Sequence, residues 1–272
     1  MRMDQKQYWN GDAGAVWVEE NAALDAMLAP LGAAAIAALG PRAGERILDI
    51  GCGAGATSRA LAAAVGPSGS VTGMDISAHL VDLALQVGGD VTFVCGDASV
   101  DPFPGAPFDA AFSRFGVMFF ERPVEAFAHI AEAMRPGGRL AFVCWRAMAD
   151  NAWARETVAA GLPHLKEPPP PMDPTAPGPF AFADKDRVLN ILADAGWRDG
   201  AAEALDTDYV LGVDAAATAQ KMLRIGPLGR LIMQQDADPA PILSALESLL
   251  GKYQTPAGVA MPAACWIVTA RR

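Results

Sequence analysis

The sequence is short of the residues from which metal sites and disulfide frameworks are built. It holds three histidines, His79, His129 and His164, and four cysteines, Cys52, Cys95, Cys144 and Cys265, all far apart and without a Cys-x-x-Cys pair. No two histidines have the spacing of a helical metal pair, and three of the cysteines fall in apolar, strand-like runs where a thiol packs as a small hydrophobe. No metal site and no disulfide is therefore expected. Positive charge is also scarce, with 21 Lys and Arg against 31 Asp and Glu, a net charge of −10 and no run of five like charges. An acidic surface repels phosphate backbones, so no nucleic-acid partner is expected. The first ten residues lack the apolar stretch of a signal peptide. Residues 28–39 are apolar and alanine-rich, but that run is too short to span a bilayer and Pro41 closes it. No membrane span is expected, and the cytoplasm is the expected compartment; nothing in the sequence speaks to oligomeric state.

Apolar residues are plentiful, 52% of 272, enough for one large α/β domain with a small appended cap. Two helix-like stretches over residues 4–39, separated near Pro30, precede a regular alternation. Strands are expected at 47–50, 71–74, 91–94, 108–112 and 140–145, with helices at 56–65, after an N-cap at Ser77, and at 123–134; Arg135-Pro136-Gly137-Gly138 reads as a turn. Strand and helix at short intervals imply parallel crossover units in a doubly wound sheet. Beyond Trp145 the rhythm changes. Residues 163–179 are proline-rich, with Pro168 to Pro171 consecutive, and read as an extended loop. Helices are expected at 184–195, 214–225 and 239–253, and strands at 205–211 and 259–269, the last with Pro262 near its start. No internal repeat is visible.

Asp49-Ile50-Gly51-Cys52-Gly53-Ala54-Gly55 follows a strand and opens a helix. Glycines there let the chain turn sharply and a ligand approach the main chain, and free N–H groups at the helix start favour an anionic part of it. Asp75 ends the second strand, twenty residues after Gly55, where a carboxylate can accept both hydroxyls of an adenosine ribose. Gly51, Gly53 and Ala56 also satisfy the dinucleotide pattern G-x-G-x-x-[G/A], so on this motif alone a nicotinamide-dependent oxidoreductase stays in play. That chemistry would want a proton relay such as Tyr-x-x-x-Lys, and Tyr8, Tyr209 and Tyr253 offer none.

The run Glu45-Arg46-Ile47-Leu48-Asp49-Ile50-Gly51-Cys52-Gly53-Ala54-Gly55 resembles the first signature of class I S-adenosylmethionine-dependent methyltransferases. Cys95-Gly96-Asp97-Ala98 is similar to their third signature, Phe108-Asp109-Ala110-Ala111-Phe112-Ser113-Arg114 to their fourth strand, and Met134-Arg135-Pro136-Gly137-Gly138-Arg139-Leu140 to the turn before their fifth. These motifs stand in the family's order across residues 45–145, nearest to the type 11, ubiquinone/menaquinone C-methyltransferase-like branch. The resemblance implies a seven-stranded, mostly parallel Rossmann-like sheet in the order 3-2-1-4-5-7-6 with the last strand antiparallel. It also implies S-adenosyl-L-methionine as cofactor. The expected division is 1–40 as a helical lid, 41–150 as the cofactor-binding half, and 151–272 as the half with a substrate cap and the last strands.

By the same resemblance the backbone of Gly51, Cys52, Gly53 and Gly55 faces the methionine portion, and Asp49 orients its ammonium group. Asp75 takes the ribose hydroxyls and Ile76 packs on the adenine. Asp97, next to Gly96, accepts from the adenine amino group while Ala98 lends its N–H. Ser113 and Arg114 end the fourth strand, where ligands collect in such sheets. Asp97 also fits a plain Asx turn. Tyr8, Trp9 and Trp17 precede the fold and read either as a lid over cofactor and substrate or as anchors of a surface helix. Trp145, ending the fifth strand, fits a pocket position or core packing equally. Met222, Leu223 and Ile225 would give an apolar roof suited to a small organic acceptor. No residue is assigned as catalytic base: His129 is expected on a solvated helix face, and His79 and His164 at surface or capping positions. The resulting expectation is methyl transfer to oxygen, nitrogen or carbon of a small molecule; a non-catalytic cofactor-binding regulatory module is the alternative outside the enzymes.

Overall fold

In the computed structural model the described residues are 4–169, 171 and 173–272, so Pro170 and Met172 of the proline-rich stretch lie outside them. The chain divides into two compact units. The first takes Met1–Trp145, Thr175–Ala204 and Trp266–Arg272; the second takes Arg146–Pro174 and Leu205–Cys265.

The first unit opens with three helices, α1 (Gln5–Asn10), α2 (Asp12–Glu19) and α3 (Asn21–Leu39). The breaks fall at Gly11 and Glu20, while Pro30 lies inside α3, so the expected separation near Pro30 does not occur. The missing proline N–H removes one rung of the ladder, and the run of alanine and leucine on both sides carries the helix through. At 19 residues α3 is longer than its sequence suggested, and by length and composition it is apolar enough to cross a membrane. It packs instead on a sheet, burying Leu24, Leu28, Leu31, Ala35 and Leu39.

The sheet begins with β1 (Arg46–Ile50), β2 (Ser70–Asp75), β3 (Thr92–Cys95), β4 (Phe108–Arg114) and β5 (Met134–Trp145), alternating with α4 (Ala56–Val65), α5 (Ala78–Val87) and α6 (Pro123–Glu132). Neighbours among these five strands are parallel, as the short crossover helices require. Asp49 of β1 lies beside Phe112 of β4, which lies beside Ala141 of β5, so these three share a face. Arg114, two residues beyond Phe112, shares it too and meets α3 at Gly32. Ser113 and Phe142 point to the other face, where α6 sends Phe127 to stack on Phe142 at 5.7 Å. Phe182 closes that cluster.

The expected turn at Arg135 to Gly138 is part of β5. Phe108 pairs with Met134 and Ala110 with Arg139, so Asp109 alone faces four residues of β5. Such a bulge leaves Gly137 at φ +76° and lets Arg135 reach back to pair with Asp109. Arg139 grips Glu45 with two N–H···O bonds of 2.8 and 2.9 Å. These ion pairs lie at the amino edge of the sheet, so Glu45, Asp109, Arg135 and Arg139 of the recognised motifs do structural work.

The remaining elements are α7 (Ala152–Gly161), α8 (Lys185–Asp194), β6 (Arg198–Gly212), α9 (Ala215–Met222), α10 (Gly226–Gln235), α11 (Pro239–Gly251), a two-residue β7 (Gln254–Thr255) and β8 (Gly258–Arg271). The strand order is β3-β2-β1-β4-β5-β8-β6, with β7 a hairpin partner of β8. Read without that added hairpin strand, it is the expected 3-2-1-4-5-7-6 order. The N–H of Arg272 donates to the carbonyl of Gly138 and that of Arg146 to Ala264, so β8 runs against β5 as expected. Pro262 lies inside β8, and β6 is more than twice as long as the run that announced it. The helix α10 had no counterpart in the sequence reading.

The second unit has its own core, including Trp153, Leu228, Ile242, Leu246 and Leu250. Gly161 lets α7 approach α10, where an added Cβ would stand 2.4 Å from Leu228 Cδ1. Asn151 is fully buried and donates through Nδ2 to the carbonyls of Arg146, Ala147 and Ala264; its Oδ1 accepts from the Trp153 indole and from Ala264 N–H. Trp153 meets Tyr209 edge-on at 5.8 Å, a core position. Met222 and Ile225, expected in an apolar roof, are buried within this unit.

Candidate functional site

The carboxyl ends of β2, β1 and β4 lie side by side and carry most of the residues singled out from the sequence. Gly51, Gly53 and Gly55 all take left-handed φ, at +66°, +55° and +84°. Gly51 is pinned from the side: an added Cβ would stand 2.8 Å from Gly116 Cα, so the loops after β1 and β4 touch backbone to backbone. At Gly53 an added Cβ would meet nothing within 4 Å, so this turn of the loop faces open space.

The loop's amides are less free than expected. Gly51 and Cys52 N–H donate to the Met74 carbonyl at 2.8 and 3.2 Å, and Gly55 N–H to the Cys52 carbonyl. Gly53 N–H donates to Asp75 Oδ2 at 2.8 Å, and Ser77 N–H to Asp75 Oδ1 at 2.9 Å. Asp75 thus braces the glycine loop against the start of α5, and burial raises its pKa against the pull of those N–H groups. Each carboxylate oxygen keeps a further lone pair for a hydroxyl donor. Burial likewise pushes the Cys52 thiol up, so it is an inert core group.

Asp49 is completely buried. Its Oδ2 accepts from Thr57 Oγ1 at 2.7 Å and Ser58 Oγ at 2.6 Å, both in the first turn of α4, while Oδ1 is buried with no partner. Burial raises its pKa to about 6, opposed by the two hydroxyls and by the charge of Arg114. Arg114 has its guanidinium on Asp25 of α3, an ion pair whose side chains are 11% and 23% exposed. Ser113, by contrast, has its hydroxyl committed: it donates to the Ile50 carbonyl at 2.8 Å and accepts from Gly116 N–H. That side chain is a rivet between β4 and β1.

Asp97 closes an Asx turn, its Oδ1 accepting from Ser99 N–H and Oγ at 2.8 and 2.6 Å, while its own N–H donates to Asp101 Oδ2. Gly96 N–H donates to the Asp75 carbonyl, Ala98 is buried, and Ile76 is half-buried at the start of the loop after β2. Phe115 follows Arg114 at φ +61° and stacks on Trp145 at 4.4 Å.

The three N-terminal aromatics form one group. Trp9 meets Tyr8, Trp17 and Phe119 edge-on at 5.3, 5.6 and 5.2 Å. Asn10, which the sequence reading passed over, donates through Nδ2 to the Ile76 carbonyl and accepts through Oδ1 from Ala78 N–H, both at 2.9 Å. Gly14 of α2 sits where a Cβ would come 3.2 Å from Ser77 Oγ. Trp9 therefore reaches the loop after β4 and Asn10 the loop after β2, and β1 lies between those strands. Thr57, Ser58, Asp25 and Gly116 were also passed over. Only the two hydroxyls, eight and nine residues past Asp49, left a sequence signal.

One histidine differs from expectation and one matches it. His129 is partly covered, stacking on Phe103 at 4.9 Å with Nε2 2.9 Å from the Asp101 carbonyl, because α6 leans over the loop before β4. His79 is an exposed residue whose Nε2 lies 3.3 Å from the Asn10 carbonyl.

Residues 47–138 match the family model described as a methyltransferase domain. Among curated proteins the chain is similar to a ubiquinone/menaquinone biosynthesis C-methyltransferase, UbiE, of Pseudomonas paraeruginosa, 37% identical over 107 residues that make up 37% of this chain and 42% of that protein. It is also similar to the aklanonic acid methyltransferase DauC of Streptomyces sp. strain C5, 34% identical over 118 residues, 42% of this chain and 54% of that protein. The chain thus spans about half the length of the curated relatives it matches. Among solved structures, phosphoethanolamine N-methyltransferase 2 of Haemonchus contortus in complex with S-adenosyl-L-methionine shares the fold, with TM-score 0.54 and 19% identity over 89% of this chain and 52% of that one.

Proposed function

We propose that the protein is an S-adenosylmethionine-dependent methyltransferase that acts on a small organic acceptor. The observation that carries this reading is the buried Asp49 with an unpartnered Oδ1, set beside the open turn at Gly53. A desolvated carboxylate oxygen without a donor is costly, and an ammonium group arriving at the glycine loop would satisfy it. Asp75, one strand away, holds lone pairs for ribose hydroxyls, and Ile76 beside it offers an apolar surface for a purine. Asp97 keeps Oδ2 for an adenine amino group while Oδ1 holds its turn. The donor set fits a nucleoside joined to a zwitterionic amino acid, and the solved neighbour of the same fold is in complex with S-adenosyl-L-methionine.

S-adenosylmethionine supplies a methyl group already made electrophilic by its sulfonium. The protein's contribution is then to orient, to hold the acceptor in line and to exclude water. The segment from Tyr8 to Trp17, tied to the loops on both sides of β1, is read as the lid that excludes it. Phe115 and Trp145 give an apolar wall at the ends of β4 and β5. A base is needed only for an acceptor atom that holds its proton tightly. UbiE and DauC are named for small organic molecules, which supports an acceptor of that class. Cysteine is used as a buried apolar residue at Cys52 and Cys265, which supports a reducing compartment such as the cytoplasm.

The test is methylation of candidate acceptors by purified protein with labelled S-adenosylmethionine. Transfer to a small organic acceptor is expected; cofactor binding without transfer to any acceptor would favour the non-catalytic module.

A further inference from the structure

Four polar side chains from four elements meet beneath α3. Asp49 of β1 and Arg114 of β4 point to the same face, as the parallel register of Asp49 with Phe112 dictates. Thr57 of α4, which donates to Asp49, and Arg114 both border Gly32 of α3: a Cβ there would stand 3.6 Å from Thr57 Cγ2 and 3.0 Å from Arg114 Cδ. Asp25, two turns earlier on α3, pairs with Arg114 Nη2. The result is an alternating row, Asp49, Arg114, Asp25, at the carboxyl edge of the sheet. One carboxylate oxygen in it, Asp49 Oδ1, is buried and unpartnered. The guanidinium has five N–H donors, of which one, at Nη2, is given to Asp25 Oδ1.

We propose that Arg114 receives the α-carboxylate of the cofactor's methionine portion while Asp49 Oδ1 receives its ammonium group, with Asp25 serving as the counter-ion of Arg114 when that carboxylate is absent. A zwitterionic amino acid needs one anionic and one cationic partner, and Asp49 and Arg114 supply both on one face of the sheet, near enough for the charge of Arg114 to act on Asp49. The planar guanidinium presents its remaining N–H donors as a fork that matches a carboxylate. Ser113, the other candidate at the end of β4, is excluded because its hydroxyl is spent on Ile50 and Gly116. This inference rests on the cofactor proposed above and adds which residue reads its carboxylate.

The experiment compares two ligands by calorimetry, S-adenosylhomocysteine and its decarboxylated analogue, which keeps the ammonium group and lacks the carboxylate. Wild-type protein is expected to bind the first at least tenfold more tightly. In Arg114→Gln that ratio falls to near one, chiefly through loss of the carboxylate-bearing ligand. Asp25→Asn removes the same ion pair but keeps the guanidinium, and it retains the wild-type ratio. A ratio unchanged in Arg114→Gln, or lost equally in Asp25→Asn, would overturn the assignment and leave the cofactor reading intact. Should wild-type protein bind neither ligand, the cofactor reading itself falls.

Discussion

Gly51 and Gly116 face each other across the gap between β1 and β4 with no room for a side chain on either. A Cβ on Gly51 would come 2.8 Å from Gly116 Cα, and one on Gly116 2.9 Å from Gly51 Cα and 2.8 Å from the Ile50 carbonyl. The contact sets how far the glycine loop projects over the strand ends, and so where Asp49 and Asp75 sit relative to a bound ligand.

Gly51 and Gly53 should therefore respond differently to alanine. Gly51→Ala adds overlap with Gly116 to the strain of φ +66°, and is expected to cost on the order of 2–5 kcal/mol of stability. Gly53→Ala meets no atom within 4 Å and carries the φ strain alone, about 1–2 kcal/mol. Its methyl would project into the open side of the loop and weaken S-adenosylhomocysteine binding. Urea midpoints paired with titration calorimetry check both; equal stability losses would contradict the contact described.

Asp75→Ala should weaken S-adenosylhomocysteine binding by more than tenfold, on the order of 1.4 kcal/mol or greater. The same variant frees the Gly53 and Ser77 N–H groups, so the melting temperature should fall as well. Wild-type affinity in a folded variant would overturn the ribose assignment.

Asp49 gives a pH signature. Its folded-state pKa of about 6 lies above the ordinary 3.8, chiefly because burial disfavours the charged form. Between those values the folded chain holds a proton that the unfolded chain has released. The residue's contribution thus favours folding at low pH and is lost as pH rises through about 6, a cost of roughly 3 kcal/mol at neutral pH. Asp49→Asn should raise the melting temperature at pH 7.5, a gain that shrinks toward pH 4, while lowering cofactor affinity. In wild-type protein, affinity should fall as pH drops through about 6, when the carboxylate is lost. A melting gain independent of pH would refute the assignment to this carboxyl.

Asn10→Ala removes two hydrogen bonds to the loop after β2, each worth about 1 kcal/mol. If residues 5–19 close over the cofactor, S-adenosylhomocysteine should dissociate at least several-fold faster, with faster amide exchange confined to α1 and α2. Stopped-flow displacement reads the first and hydrogen exchange the second. An unchanged dissociation rate would assign the segment a purely structural role.

The parallel half of the sheet was legible because its signals are local. Ile47 to Ile50 is a short apolar run, Ser77 is an N-cap that accepts from Leu80 N–H, and Gly88 stops α5. The bulge at Arg135 to Gly138 was read as a turn because Pro and Gly punctuate both; only the pairing with β4 makes it a strand. α3 outran its sequence signal because tertiary burial outweighed Pro30.

At the site, Asp75 is singled out by its spacing to the glycines and Asp49 by the resemblance of its motif. The amides of Gly51, Cys52, Gly53 and Gly55 are taken by Met74, Asp75 and the Cys52 carbonyl, which the motif itself does not show. Asn10 and Asp25 could not be found from spacing, for their partners lie 66 to 89 residues away. One recognised motif served two ends of the sheet, with Asp109 in ion pairs at the amino edge and Arg114 at the carboxyl edge.

The most direct measurement is titration calorimetry of ligand-stripped protein with S-adenosylhomocysteine, run beside NAD. The account predicts saturable heat at one site per chain for the first, lost in Asp75→Ala, and none for the second. Heat with NAD and none with S-adenosylhomocysteine would contradict it.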